Sequence, residues 1–444
     1  MKRSAWRYLW KSKDIRRKLL ISLALLAIYR LASNIPVPGI NRELVAQLTQ
    51  TGGAAGGLIN MLDMLSGGAV SNFSVLSMGV YPYITAQIII QLLIPVIPAL
   101  ERKMQENPKE GRTWMEKWTI ILTIPMAALS AVGQINIFNA ILGQSVVAKF
   151  GFAGDVLIPT LATVISMIAG TMFGVWLGEL ISEFGVRGQG LSLIIFAGIV
   201  SKLPQNLLQL LSDESFWWLI FIVGPLLIVT IFAVVYVQQG RRHVPVMFPG
   251  RRVGSRMSMP VKSSVPLMVN MAGMIPIIFA QSFITFPTIL ASFFNNSNVK
   301  WIQNVAVGIQ NVLSGDGLIY PILFFILVVL FTFFYTDILF AQQNYGDNLK
   351  KQGAQIPGVA RGGPTQRYLT KVQRRITLPG ALFLGVVAAL PYFLALLLPE
   401  GIKQTSLFLV SSTGLLIVVG VVRDTFQIIE AELKMHGYDD RLIS

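Results

Sequence analysis

Long apolar runs separated by short polar connections make up most of the sequence. About ten of these runs approach the length of a bilayer-crossing helix, since a hydrocarbon layer of roughly 30 Å needs about 20 helical residues. They lie near residues 19–35, 73–98, 118–137, 157–178, 190–211, 217–237, 266–294, 318–341, 376–398 and 405–429. The pattern predicts an all-α polytopic membrane protein with ten transmembrane helices.

The stretch from Gly56 to Leu100 departs from this regular pattern. A short apolar segment, 58–65, ends at Ser66-Gly67-Gly68, and a longer run restarts at Phe73 and carries three prolines. A helix that is broken at membrane depth must line a cavity or be buried in protein, because its free backbone groups need partners. Two interpretations remain open: an external loop with a surface amphipathic helix, or a pore whose lining includes a half-inserted, movable segment.

Basic residues are concentrated in alternate connections between the predicted spans. The connection 238–265 holds six Arg and Lys residues without a carboxylate, and 342–375 holds seven. Connection 101–117 is also basic, whereas the outer connections carry one basic residue each. Since Lys and Arg stay on the cytoplasmic side, both termini are predicted to be cytoplasmic.

The ten predicted spans fall into two sets of five, residues 1–211 and 212–444, divided by a polar connection. Because five is odd, the second set runs through the membrane in the opposite sense to the first. Two such halves predict an inverted repeat with the functional site at their interface.

The amino-acid composition argues against a soluble protein, a metal-dependent protein and an enzyme. Hydrophobic residues make up 53% of the chain and charged residues 13%, far below the quarter or so that is typical of soluble domains. The chain has no Cys and two His, so it lacks the thiolate and imidazole ligands from which most metal sites are built. Neither a metal nor a cofactor is expected. Few ionisable residues lie at membrane depth, and no catalytic motif is present, so an enzyme is not expected. A secondary transporter for a small solute remains the alternative.

Aliphatic residues at mid-membrane positions could form a constriction that resists water and ions by dewetting. This requires that six of them converge: Val80, Ile84, Leu191, Ile195, Ile278 and Ile417. Each one taken alone is equally well explained by lipid exposure or by core packing.

The two long basic loops also allow two interpretations. They could hold the orientation of the chain and touch anionic lipid, or they could dock a large acidic partner such as ribosomal RNA or a cytosolic motor.

Eight short motifs along the chain share their sequences with one protein family: Met64–Ala69, Gly79–Leu93, Gly170–Phe173, Trp176–Glu179, Ile194–Val200, Asn270–Gly273, Asp347–Lys351 and Gln427–Met435. In these motifs the chain resembles the SecY family, the central subunit of the Sec protein translocase, and the likeness runs from about Arg16 to Met435.

The resemblance implies an hourglass pore that passes unfolded secretory chains across the bacterial inner membrane and releases apolar segments sideways. It assigns the six aliphatic residues to a pore ring and the segment Leu58–Gly68 to a plug. The plug residues are Leu58, Ile59, Met61, Leu62, Met64, Leu65, Ser66, Gly67 and Gly68. It also implies that signal peptides bind at a lateral gate between the second and seventh spans, whose polar residues are Gln87, Gln91, Ser130 and Asn270.

The resemblance further implies that SecE and SecG assemble with the chain, and that Arg251, Arg252 and Arg361 contact the SecA motor ATPase or the ribosome. The sequence departs from the family pattern at a few positions. Arg361 is displaced by one residue in the Pro357–Gly362 loop, Ser130 replaces a frequent Gln, Tyr81 replaces an apolar residue, and Gln87 replaces a Ser.

Overall fold

The computed structural model describes residues 12–41, 66, 69–70, 73–106, 108–142, 144–147, 150–151, 154–212, 217–248, 252–253, 256–257, 259, 261–294, 299–313, 319–397 and 412–435. The helices are α1 Lys13–Ala32, α2 Tyr81–Val96, α3 Pro98–Glu106, α4 Pro108–Leu142, α5 Leu157–Phe184, α6 Gly190–Ser212, α7 Trp217–Gln239, α8 Ile275–Ser292, α9 Lys300–Leu313, α10 Ile319–Gln343, α11 Tyr345–Lys351, α12 Gly363–Leu397 and α13 Ser412–Met435. The strands are β1 Arg241–Phe248, β2 Arg252–Val253, β3 Arg256–Met257 and β4 Val261–Met268.

Each predicted span overlaps one of these helices, namely α1, α2, α4, α5, α6, α7, α8, α10, α12 and α13. Within the described ranges, four segments are long and apolar enough to cross a membrane: Lys109–Ala140, Leu157–Phe184, Ile275–Ser292 and Ile319–Lys351. A fifth is added if α2 and the start of α3, bent by 93° at their break, count as one span. The chain is therefore a predominantly helical membrane protein, and the number of ten crossing helices stays a prediction.

The second span begins later than the sequence predicted. Residues 73–80 form successive turns, and α2 begins at Tyr81. Ser74 Oγ accepts the amide hydrogen of Leu76, and Gly79 adopts a left-handed backbone conformation with φ of +52°. Side-chain and turn hydrogen bonds of this kind compete with helix formation, so the apolar run enters the helix only after the glycine.

The long connection 238–265 contains strands that the sequence analysis missed. Strand β1 pairs antiparallel with β4, and β2 pairs with β3. Val244 and Val246 are buried on alternate positions of β1, between exposed neighbours. This two-residue period is the usual signal of a half-buried strand and was readable in the sequence. Because β4 occupies the start of the seventh predicted span, α8 begins at Ile275 rather than near residue 266.

The connection 342–375 is also folded rather than a free loop. It contains α11 and the first three turns of α12, which begins at Gly363. Met247 of β1 and Gln355 exchange two backbone hydrogen bonds of 2.8 and 2.9 Å. Buried residues from both connections, including Leu267, Leu349 and Ile356, share one hydrophobic cluster. We call this unit, formed by β1–β4, α11 and residues 352–375, the basic platform.

The halves of the chain meet along two helix contacts. On one side α2 and α4 pack against α8, and on the other α6 packs against α13. An ion pair of 2.6 Å joins Lys18 of α1 to Glu432 of α13, so the first and last described helices are also connected. The largest hydrophobic cluster contains residues of both halves.

Candidate pore and lateral gate

The six residues predicted to form the pore ring belong to one hydrophobic cluster. Five of them are buried within it, Val80, Ile84, Ile195, Ile278 and Ile417, and Leu191 packs against it half-buried. They come from four places in the fold: the start of α2, α6, α8 and α13. The predicted ring residues of both halves therefore share one hydrophobic cluster, and their arrangement as a ring stays a prediction.

Small residues allow the helices that carry these side chains to approach closely. A Cβ atom added to Gly178 of α5 would lie 2.8 Å from Cδ2 of Leu191, and one added to Gly174 would touch Val80 at 3.8 Å. On the opposite side, Gly420 of α13 lies directly against Met274 at the start of α8. The positions of the ring side chains on α2, α6, α8 and α13 therefore depend on helix packing around these glycines.

Most of the predicted plug, residues 58–65 with Gly67 and Gly68, lies outside the described residues. Ser66 is described and is buried at 1% exposure. The hydroxyl of Tyr29, on α1, donates a 3.1 Å hydrogen bond to the Ser66 carbonyl oxygen. A Cβ atom at Gly79 would lie 2.5 Å from the Ser66 Cα, so a glycine is required where this segment passes the start of α2.

The predicted gate residues occupy different environments. Gln91 and Ser130 are buried, and Gln87 is half-buried. Asn270 lies in the loop before α8, where its side chain donates to the Gly273 carbonyl and accepts from the Gly273 amide, both at 3.0 Å. Among the described residues, the hydrogen bonds of Asn270 therefore shape its own turn and do not cross to α2 or α4.

Two other hydrogen bonds between described residues do cross the seam between α8 and the first half. Tyr81 at the start of α2 donates from its hydroxyl to the Ser282 carbonyl at 3.4 Å, and Ser292 donates to the Gly133 carbonyl of α4 at 3.2 Å. Gly133 faces the side chain of Ile289 at very close range. Sequence reasoning missed Ser282, Ser292 and Gly133, although the unusual Tyr81 was noted, because polar partners in distant spans give no local signal.

Two of the three predicted docking residues, Arg252 and Arg361, belong to the basic platform. Arg251 lies outside the described residues, and for Arg252 the backbone alone is described, paired with Met257. Arg361 is exposed, and its Nε donates to the Gln355 side chain at 3.3 Å. Because Gln355 also pairs with Met247 through the backbone, Arg361 is held beside β1. In the part of the chain that the structure describes, no group of three or more His, Cys, Asp or Glu could hold a metal ion.

Comparison with curated proteins gives relatives that share one name. The protein translocase subunit SecY of Streptomyces galbus is 36% identical over 437 residues, which cover 97% of each chain. The protein translocase subunit SecY of Thermotoga maritima is 35% identical over 440 residues, covering 98% of this chain and 96% of the relative.

Solved structures share the fold at lower sequence identity. A protein-conducting channel aligns with a TM-score of 0.63 and 17% identity, covering 98% of this chain and 99% of that one. A second structure is a SecY protein whose plug domain stabilises the closed state of its translocation channel. It aligns with a TM-score of 0.61 and 17% identity, covering 98% of this chain and 99% of that one. Sec61 in a canine ribosome–channel complex aligns with a TM-score of 0.58 and 17% identity, covering 98% of this chain and 99% of that one.

The sequence profile of SecY matches residues 74–426, which include the start of α2, the seam with α8 and most of α13. With this match and relatives above 30% identity over nearly the full length, the resemblance found in the sequence is confirmed, and the chain belongs to the SecY family.

Proposed function

We propose that the chain is the channel subunit of a protein translocase, which conducts unfolded secretory proteins across a membrane and releases apolar segments sideways into it. The observation that carries this proposal is that the six aliphatic residues predicted for the pore ring, from α2, α6, α8 and α13 of both halves, belong to one hydrophobic cluster. Relatives that are named protein translocase subunit SecY, and that align over nearly their whole length, support the same function.

In this proposal the pore ring acts as a seal with two properties. Its aliphatic side chains offer no hydrogen bond to water or ions, so a narrow ring of them excludes both by dewetting. They also make no directional bond to a passing polypeptide, so one ring accepts many side-chain sequences. The segment Leu58–Gly68 is the plug that supports the seal, and the Tyr29 contact with Ser66 favours its docked position.

The seam between α2, α4 and α8 is the proposed lateral gate. Among the described residues, two side-chain-to-carbonyl hydrogen bonds cross it, and a neutral hydrogen bond contributes about 1 kcal/mol. An apolar signal helix that packs between these helices would shift the population toward the open state. Gln87, Gln91, Ser130 and Asn270 are the proposed polar residues of this gate or its margins.

The proposed partners follow from the platform and from the relatives. Arg251, Arg252 and Arg361 offer positive charge to the SecA motor ATPase or to ribosomal RNA, and the structural relative Sec61 occurs in a ribosome–channel complex. SecE and SecG are the proposed companion subunits. The proposed location is the bacterial inner membrane with both termini cytoplasmic, and halves 1–211 and 212–444 are its two inverted units around an hourglass pore.

A reversible lock of the lateral gate tests this function. The pair Gly133→Cys with Ile289→Cys removes the crowding side chain and places two sulfurs across the seam, where the close approach suits a disulfide with Cβ atoms about 3.8 Å apart. In reconstituted vesicles, oxidation is expected to reduce signal-dependent translocation of a secretory precursor by roughly tenfold or more. A population held closed cannot be shifted by the signal helix.

The chain has no other cysteine, so each single-cysteine variant is a matched control that should be insensitive to oxidant. Reductant should restore the activity of the locked pair. Full translocation by a chain whose disulfide is shown to be complete would overturn the gating role of this seam.

A further inference from the structure

Helix α9 lies in the connection between α8 and α10. Because β4 precedes α8 and α11 follows α10, this connection is on the side of the membrane opposite to the basic platform. Both flanking helices belong to segments that are long and apolar enough to cross a membrane, and the 18 residues of α8 rise about 27 Å, close to the thickness of a hydrocarbon layer. Since α9 joins the ends of these two helices and packs against both, it lies at the level of the membrane surface.

One face of α9 packs against the rest of the protein. Ala306 and Leu313 are buried on this face, and Ile302 is half-buried. At about 100° per residue, these three positions fall within an arc of about 40°. Leu313 belongs to the largest hydrophobic cluster, so this face attaches α9 to the helical core.

A second apolar face lies beside the first and is exposed. Trp301, Val305 and Val312 are 72, 45 and 39% exposed. With Gly308 they share an arc of about 60°, and we call these four positions the exposed stripe. A Cβ atom added to Gly308 would meet no atom within 4 Å, so the space beside the stripe is open in the part of the chain that the structure describes.

The remaining side of α9 is mostly polar and almost uncharged. Gln303, Asn304 and Asn311 are exposed there, with Val307 as an apolar exception. Lys300 is the only charged residue between positions 293 and 313. An amphipathic helix of this composition binds a surface by burying its apolar face and gains little from electrostatic attraction.

Exposed apolar residues also flank α9 on both sides. Phe294 after α8 is 51% exposed, Val299 directly before α9 is 53% exposed, and Ile319 at the start of α10 is 59% exposed. A run of such residues is typical of a contact surface, whereas single exposed apolar residues are ordinary. Tryptophan is enriched where a membrane meets water, and Trp301 is the most exposed residue of the stripe.

We infer that α9 lies in the membrane interface opposite to the basic platform, with the exposed stripe among the headgroups and upper acyl chains and the polar side in water. The partner is the lipid surface itself, and no acidic headgroup is required, because the stripe carries no charge. Ser292, which donates to Gly133 across the gate seam, is the last residue of α8. The anchored helix therefore follows directly on one end of that seam.

This inference rests on the membrane crossing of α8 and α10 and not on conduction through the pore. The gate lock measures translocation, whereas the lipid contact of α9 is measured without any translocating chain. Failure of one is therefore distinguishable from failure of the other.

Spin labels at single cysteines test the contact in the full chain, purified and reconstituted in phosphatidylcholine vesicles. Val305→Cys reports from the exposed stripe, and Gln303→Cys, about 160° around the helix, is its matched control. Oxygen concentrates among acyl chains, whereas a nickel chelate stays in water. The ratio of oxygen to nickel accessibility should be roughly fivefold or more higher at position 305 than at 303, because only the stripe enters the apolar layer. Added phosphatidylglycerol should change this ratio by less than about twofold, since an acidic surface attracts basic side chains and the stripe has none.

A second measurement places the label at Gly308→Cys, where the surroundings are open. Adding Trp301→Ser and Val312→Ser should lower the accessibility ratio at position 308 by roughly threefold or more, because most of the apolar area that holds the helix in the interface is lost. The control Gln303→Ser with Asn304→Ser changes the polar side alone and should leave the ratio unchanged.

Equal ratios at positions 305 and 303, with nickel access at both, would show that α9 lies in water and would overturn the inference. Low access of both reagents at position 305 would show that protein covers the stripe, for example a second copy of the chain, and would overturn it as well.

Discussion

Vesicles containing the variant Ile84→Ser/Ile195→Ser/Ile278→Ser are expected to leak ions roughly tenfold faster than vesicles containing the parent protein. The three side chains come from α2, α6 and α8 and lie in the shared aliphatic cluster. Serine removes most of each side chain and adds a hydroxyl group, so the constriction becomes both wider and wettable. A wetted constriction no longer excludes ions by dewetting. The measurement is the single-vesicle ion flux without any translocating substrate.

Two controls separate loss of the seal from general damage. Ile124→Ser/Ile165→Ser/Ile326→Ser makes the same chemical change at exposed positions of α4, α5 and α10, which are 47, 60 and 52% exposed, and should leave the flux unchanged. Valine at the three ring positions keeps branched apolar side chains and should preserve the seal. An unchanged ion flux in the serine ring variant would contradict the proposal that these residues seal the pore.

Charge reversal at Arg251 and Arg252 is expected to weaken partner binding by roughly tenfold or more. Arg251→Glu with Arg252→Glu replaces attraction for an acidic partner by repulsion, and like charges brought together at an interface cost several kcal/mol. The affinity of the SecA motor or the ribosome for the reconstituted protein should be measured at low and at physiological salt. The defect should be larger at low salt, where charges are screened less.

The matched control reverses Arg112 and Lys117, two exposed basic residues in the other basic connection, 101–117. This variant carries the same net charge and should retain most of the affinity. Undiminished binding by the Arg251 and Arg252 variant would leave these residues with a role in membrane orientation alone.

The hydrophobic pattern predicted the segments of the long apolar helices but not the shorter helices α3, α9 and α11, because burial in lipid or protein requires long apolar runs with satisfied backbone groups. It did not predict where helices begin when local polar groups compete. Ser74 and Gly79 hold residues 73–80 in turns, and Asn270 with Gly273 holds the loop before α8. In both places the run is apolar, and the boundary is set by one side chain and one glycine.

The strands of the platform were predictable in part. The alternation of apolar and polar residues around Val244 and Val246 was present in the sequence, but the segment was interpreted by its positive charge as a basic loop.

The hydrogen bonds at the gate seam could not be predicted from the sequence. The bond from Tyr81 to the Ser282 carbonyl joins residues 201 positions apart, and its acceptor is a backbone atom that no side-chain pattern can reveal.

Disulfide cross-linking of a translocating chain at single cysteines is the most direct test of the central claim that secretory proteins pass through the ring. The protein contains no native cysteine, so Ile278→Cys reports from the predicted ring and Ile165→Cys from the exposed surface of α5. With a precursor arrested midway and carrying one cysteine, the claim predicts strong cross-links from position 278 and none above background from 165. Cross-links of equal strength from both positions, or none from the ring, would contradict it.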